Sequence, residues 1–284
     1  MNINTKSLVK DQLQKLVVRA ILIIFLILTL FPFIWDLYSS LKTNTEFMAN
    51  PFALPTTLHW ENYASALRSG AIGRNVWNSL YVVVVSLLIT LVCSIPCSYC
   101  LVRYRFIGSS LILGTFMTCL FITGNYIIIP LFLQMNKLHI LNNLTGLALV
   151  YSAFRIPYSV YLLTGYMKSI PHDYEEAAIL DGCTSFDVLR RIIIPLTKPG
   201  ILTVIMLTVM YSWNEYALAL VLVMDPKKQT LPVGLASLSQ MQQYATDWVT
   251  LFAALAIAFI PTLIIYAISK KQLLEGVNAG GIKG

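Results

Sequence analysis

The sequence predicts an all-α polytopic membrane protein with six transmembrane helices, on three observations. Of 284 residues, 57% are hydrophobic and 12% charged, against roughly 25% charged in soluble domains. Six apolar runs approach or exceed the ~20 residues a helix needs to cross a bilayer. One dense polar stretch, EEAAILDGCTSFDVLRRIIIP from Glu175 to Pro195, interrupts them between the fourth and fifth runs.

The spans fall at about 20–38, 77–101, 107–129, 144–167, 200–223 and 248–268, all within one transmembrane domain covering 1–284. The first follows the basic stretch MNINTKSLVKDQLQKLVVR. No small-residue cleavage site follows it, and the apolar run continues through FPFIWDLY, so the span is expected to be uncleaved. Leu8, Leu13 and Val17 beside Lys6, Lys10 and Lys15 suggest a short interfacial helix ahead of it. The loop from about 39 to 76 holds proline and threonine punctuation before HWENYASAL, which predicts an extended stretch and then a short helix. The loop 224–247 carries MDPKKQTLPVGLASL, and neither loop is large enough for an independent domain.

Charge sets the expected orientation. With the N-terminus inside, thirteen basic residues face the cytoplasm and six face out, leaving Arg155 within a span. That bias predicts cytoplasmic N- and C-termini and a cytoplasmic 168–199 loop. The net charge of +7 comes with no aromatic-interleaved basic patch, which argues against nucleic acid as a partner. The five cysteines, Cys93, Cys97, Cys100, Cys119 and Cys183, have no histidine at ligand spacing. The Cys97-x-x-Cys100 pair reads as small residues on a packed helix, and no metal site is expected.

The polar stretch has its own local logic. Pro171 followed by Asp173, Glu175 and Glu176 marks a helix start, where acids suit the helix dipole. Gly182 is placed to end that helix in the left-handed conformation. Thr184 can cap a second helix, with Asp187 three residues on completing a capping box. Arg190 and Arg191 lie in its last turns, and Pro195 is expected to break the run before the next span. The result is two short helices joined at a glycine bend. Ala177, Ala178 and Gly182 give the first a small-residue face open to close approach by another surface.

Polar groups inside the spans are the other candidates. Arg155, in YSAFRIPYSVYLL, is costly in a membrane and should face a cavity or partner. Glu215 is the only acid in the fifth run. The two differ in depth by roughly 6 Å at 1.5 Å per residue, so either they form an ion pair that fixes packing or Arg155 meets an acidic group on a substrate. Asn125, Tyr126, Tyr151, Tyr158, Tyr161, Trp213 and Asn214 add rings and amides at membrane depth. Pro96, Pro157 and Pro261 are expected to bend their helices.

The polar stretch resembles the EAA motif of ABC importer permeases. Glu176-Ala177-Ala178 is followed by three residues and Gly182, then nine residues and Ile192-Ile193-Ile194-Pro195, with Ile194 where leucine is usual. SLKTNTEFMANP, WNEY at Trp213–Tyr216, QTLPVGLASL and the ending LLEGVNAGGIKG are similar to carbohydrate-uptake permeases of the maltose type. The resemblance implies a type I ABC importer permease of the bacterial plasma membrane, binding-protein-dependent and multi-pass. It implies that Glu175, Glu176, Ala177, Ala178, Asp181, Gly182, Ile192 and Pro195 form an ATPase-coupling loop. It implies that tail glycines Gly280, Gly281 and Gly284, within 269–284, reach the same ATPase.

The implied partners are a second homologous permease, two ATPase subunits, an extracellular solute-binding protein and membrane lipid. There is no G-x-x-x-x-G-K-[ST] phosphate loop. ATP and Mg are therefore expected on the partner ATPase, with no cofactor on this chain and no catalytic residue. The expected cargo is a sugar or oligosaccharide moving past Asn125, Tyr126, Tyr151, Arg155, Tyr158, Trp213, Asn214 and Glu215. The alternative is an anionic or modified sugar, or another solute, contacted by Arg155. An intramembrane enzyme would need a catalytic constellation, and neither H-E-x-x-H nor paired intramembrane aspartates occur. A secondary transporter would have no use for the EAA-like loop.

Overall fold

A computed structural model describes residues 5–68, 71–104, 106–245 and 247–280. The described residues form helices over all six predicted segments. The chain divides into two compact units, Met1–Leu67 with Ser239–Ile257, and Arg68–Leu238 with Ala258–Gly284.

In the first unit, α1 runs unbroken from Thr5 to Ser39. The separate interfacial helix expected before the first span is therefore absent: KDQLQKLVVR is made of good helix formers with no glycine or proline to interrupt it. Residues 12–39 of α1 are long and apolar enough to cross a membrane. A second helix that the sequence reading missed, α2 (Asn44–Ala49), follows at once. Thr43 caps it and Glu46 reaches back to the Thr43 backbone, a complete capping box. The hydrogen bonds that Glu46 accepts from Thr56 and Thr43 hold its carboxyl down at about 2. The helix expected from HWENYASAL is α3 (Glu61–Arg68). Trp35, Phe47 and Phe252 pack ring to ring at 4.9–6.0 Å between centroids. Asn44 Nδ2 donates to Asp247 Oδ1 at 2.8 Å, tying α2 to residues just before α14 (Trp248–Gly280).

The second unit is built on α4 (Ile72–Arg103) and α7 (Leu144–Lys168), both able to span a membrane, with α11 (Lys198–Asn214) packed against each. Small hydroxyl residues recur along α4 at Ser79, Ser86, Thr90, Ser94 and Ser98, all buried. They bring the helix axes close, as membrane interfaces favour. Ser86 and Ser212 hydroxyls meet at 3.1 Å, and Ser98 Oγ donates to Val160 O at 3.3 Å.

Two predicted spans are not straight. The third divides into α5 (Ser109–Cys119) and α6 (Gly124–Lys137), bent by 104°. At the break Gly124 lies so close to Leu218 that a Cβ would sit 3.3 Å from its Cδ1. The fifth divides into α11 and α12 (Ala217–Leu222), because Glu215 turns its carboxylate onto the backbone N–H groups of Leu218 and Ala219 at 2.7 and 3.0 Å. The loop 224–247, left without a helix in the sequence reading, contains α13 (Leu231–Ala245), with Pro232 in its first turn, where proline suits a helix start.

Candidate functional site

Between α7 and α11 the polar stretch forms the expected helix–turn–helix. The first helix is α8 (Asp173–Leu180), with Asp173, Glu175 and Glu176 in its first turn. It ends as predicted: Gly182 sits at φ +86°, its N–H reaches Ile179 O, and Cys183 N reaches Ala178 O. Thr184 caps α9 (Ser185–Val188), and the reciprocal bonds with Asp187 complete the capping box. The Thr184 hydroxyl and backbone N–H together hold the Asp187 carboxyl below the usual carboxylate range.

The exit from α9 departs from expectation. Leu189–Ile193 is a π-helical segment, Ile194 N donating to Leu189 O five residues back, and α10 (Ile194–Leu196) follows without interruption. Pro195 thus does not break the chain. It occupies the first turn after the widened segment, where its missing N–H is tolerated. The bend, 76° between residues 185–196 and α11, falls at Thr197 instead.

The two faces of α8 do different things. Glu175 is only 7% exposed. Its carboxylate pairs with Arg103 and accepts from Tyr99 OH at 3.1 Å, both at the end of α4. Arg103 also donates to Ile170 O at 3.0 Å and lies 3.4 Å from His172 Nε2. Ala178 is buried in a cluster with Leu163, Met167, Val188 and Ile193, against which Ile192 packs. The small-residue face expected for an outside partner is therefore split. Ala178 packs inside this chain, while Glu176, Ala177, Asp181, Gly182 and Pro195 stay exposed. Around them Tyr174, Ile179, Leu180 and Phe186 are large apolar side chains in the open, Leu180 being 89% exposed. Arg103 and Tyr99 were absent from the expected set; the cue was Arg103 as the basic last residue of a long apolar run, opposite the acid-rich loop.

A second cluster lies in the spans. Arg155 carries its guanidinium carbon 5.1 Å from the Tyr158 ring centroid and 5.2 Å from that of Tyr211. Its buried Nε has no hydrogen-bond partner. The expected ion pair with Glu215 does not form among the described residues: Glu215 caps α12 and accepts from Tyr151 OH at 2.5 Å. Glu215 turned instead to the orphan N–H groups opened by the α11–α12 break. Two tyrosine faces hold the cation instead. Tyr211, which sequence reading did not single out, links the two through an edge-on contact with buried Tyr151 at 5.9 Å.

The remaining candidates scatter. Buried Trp213 donates to Ala258 O at 3.4 Å, and Asn214 turns back to Met210 O at 2.8 Å. Asn125 and Tyr126 stand exposed at the start of α6. Gly280 ends α14, while Gly281 and Gly284 lie outside the described residues. No group of three or more His, Cys, Asp or Glu among the described residues is placed to hold a metal.

Residues 94–277, which contain both clusters, match the family described as binding-protein-dependent transport system inner membrane component. The chain belongs to this family. It is 32% identical to the diacetylchitobiose uptake system permease protein NgcG of Streptomyces coelicolor, over 92% of this chain and 87% of that one. It is 31% identical to the probable starch degradation products transport system permease protein AmyC of Thermoanaerobacterium thermosulfurigenes, over 96% and 99%. Its fold matches a chain from a bacterial ABC transporter involved in import of the acidic polysaccharide alginate, with TM-score 0.82 at 24% identity, covering 92% and 97%. This inner membrane component is an ABC transporter permease and not itself an enzyme.

In the permease, the bend at Gly182 is a conformational requirement rather than a packing one, since nothing lies within 4 Å of a Cβ built there. Gly182→Ala is expected to cost about 1–2 kcal/mol, the price of the left-handed conformation for a residue with a Cβ. Thermal unfolding of the purified permease should show a midpoint lowered by a few degrees. An unchanged midpoint would mean that the turn tolerates another conformation.

Proposed function

We propose that this chain is the membrane-spanning permease subunit of an ATP-driven importer that takes up a sugar or oligosaccharide delivered by an extracellular binding protein. The observation that carries the reading is the α8–α9 hairpin, clamped to α4 from within while its apolar tip remains uncovered. A solvent-exposed set of Tyr174, Ile179, Leu180 and Phe186 on a polar connector calls for a protein partner. The sugar class is taken from the relatives named for diacetylchitobiose and starch products.

In this reading the chain has six spans, cytoplasmic termini and a cytoplasmic 168–199 loop in the bacterial plasma membrane. It pairs with a second homologous permease and two ATPase subunits, which hold ATP and Mg. Glu176, Ala177, Asp181 and Gly182 meet the ATPase with the apolar tip, and the tail with Gly280, Gly281 and Gly284 reaches the same partner. Closure of the ATPase dimer displaces α8. The displacement passes through Glu175 to Arg103 and Tyr99 on α4, and through Ile192, Pro195 and Thr197 to α11. The bundle then rocks between inward-open and outward-open states. The cargo passes Tyr151, Arg155, Tyr158 and Glu215, with Asn125, Tyr126, Trp213 and Asn214 further along the path. Aromatic faces with polar neighbours suit the apolar faces and hydroxyls of a sugar ring.

The test is uptake of labelled oligosaccharides by cells with and without the partner ATPase, together with the ligand held by the co-purifying binding protein. Loss of uptake without the ATPase, and a sugar in the binding protein, are the expected results. Continued uptake would exclude ATP-driven transport, and a non-carbohydrate ligand would exclude the sugar assignment.

A further inference from the structure

The connection after α1 does not leave the membrane helix outward. It folds back along it. Phe52 stacks on Phe31 with ring centroids 6.5 Å apart and planes 23° apart, and Trp35 tilts against the same Phe52 ring at 6.2 Å. Phe31 lies eight residues before the end of α1 at Ser39, which at 1.5 Å per residue is about 12 Å along the axis. Counted from Arg19, the ~20 residues that cross the hydrocarbon core end near Ser39. Phe52 therefore lies beside a level of α1 that is inside the bilayer.

The backbone of this return is furnished for such a position. Irregular backbone at membrane depth must have its carbonyl and amide groups satisfied by protein. Pro51 O accepts from Trp35 Nε1 at 3.0 Å and from Lys42 Nζ at 2.9 Å, and Asn50 O accepts from Lys42 Nζ at 3.3 Å. Phe52 O accepts from Tyr38 OH at 3.4 Å, while Asn50 Oδ1 accepts from Phe52 N and Ala53 N at 3.0 and 3.2 Å. The Lys42 ammonium is buried beneath the turn, 5.1 Å from the Tyr38 ring centroid. Its charge faces inward to carbonyls and a ring.

What the turn leaves outside is apolar. Phe52 is 68% and Leu54 75% exposed, with Met48, Leu58 and Trp60 also exposed. From Phe47 to Trp60 there is no Asp, Glu, Lys or Arg. We infer that the 51–54 turn is a lipid-embedded wedge whose Phe52 and Leu54 side chains sit among acyl chains, with Trp60, the Thr56–Glu46 hydrogen bond and the His59–Glu61 contact at the headgroup level, in the leaflet at the Ser39 end of α1. Its continuity with the exposed apolar surface of α1, from Ile21 to Leu37, and its lack of charge favour lipid over a water-facing docking surface. The inference requires only that α1 crosses the membrane.

The test places the photoreactive residue p-benzoylphenylalanine at position 52, and separately at 54, in the full chain expressed with its native partners. Position 180, at the exposed end of α8, serves as the water- and protein-facing control. Illuminated membranes are analysed by intact-mass and peptide spectrometry. Phospholipid adducts at 52 and 54, several-fold above position 180, are the expected result. A polypeptide adduct, whether to the binding protein or to the second permease, overturns the inference, as does a lipid yield no higher than at 180. Position 54 decides the matter if the variant at 52 does not accumulate.

Discussion

Glu175→Ala is expected to remove most of this permease from the membrane before it affects any transport step. The Glu175 and Arg103 side chains are 9% and 5% exposed, and each is the other's charge partner. Truncating one member of a buried pair leaves an uncompensated charge and costs about 3–5 kcal/mol. With a tenfold change in equilibrium for every ~1.4 kcal/mol, the folded-to-unfolded ratio should fall by at least about a hundredfold, and losses of even ~1–2 kcal/mol can lower abundance several-fold. Tyr99 OH would lose its acceptor at the same time. Replacing both partners by methionine removes the orphan charge, and such exchanges are often neutral, so Arg103→Met with Glu175→Met should recover the protein level. Quantitative blotting of membranes reads this. A normal level for Glu175→Ala would show that α8 is not clamped to α4 in the working protein.

Leu180→Asp is expected to do the reverse: normal abundance and no transport. Leu180 is 89% exposed and belongs to no buried cluster among the described residues, so the folded chain alone loses little. In the proposed complex it is the apolar tip of the coupling helix. An anchor of this kind costs at least about 2 kcal/mol when lost, and an aspartate adds the penalty of burying a carboxylate. Affinity purification of the permease should bring down little or none of the ATPase, and ATP-dependent uptake should disappear. Retention of both would move the docking surface away from α8. Two residues five apart on one short helix thus separate a failure of folding from a failure of coupling.

The difference between those positions was not legible in the sequence. Glu175, Glu176, Ala177 and Ala178 read alike as an acidic and small-residue cluster. A helix advances 100° per residue, so adjacent residues part company once one face meets α4 and α7. The same limit explains Arg155 and Glu215. Depth along two helices follows from counting residues, and it placed them at similar levels. Rotation about each axis does not follow, and the break at Glu215 turned that carboxylate onto Leu218 and Ala219. The 104° bend between α5 and α6 has no strong local mark beyond Gly124, whose close approach to Leu218 is a contact between residues far apart in sequence. Pro195 misled for a related reason: a proline signals a missing donor, and the π-helical turn before it absorbed that loss without ending the helix.

The sequence by itself determined the membrane class, the positions of the apolar segments, the left-handed turn at Gly182 and the Thr184–Asp187 cap. Each depends on groups within one or two turns of chain, or on hydropathy summed along a single helix. Only the tertiary structure decided which side of α8 is inside, that two tyrosines rather than Glu215 hold Arg155, and that the chain after α1 returns along it. Those outcomes depend on helix rotation and on contacts between distant residues, where packing and the satisfaction of buried polar groups select one arrangement from several that the local sequence permits.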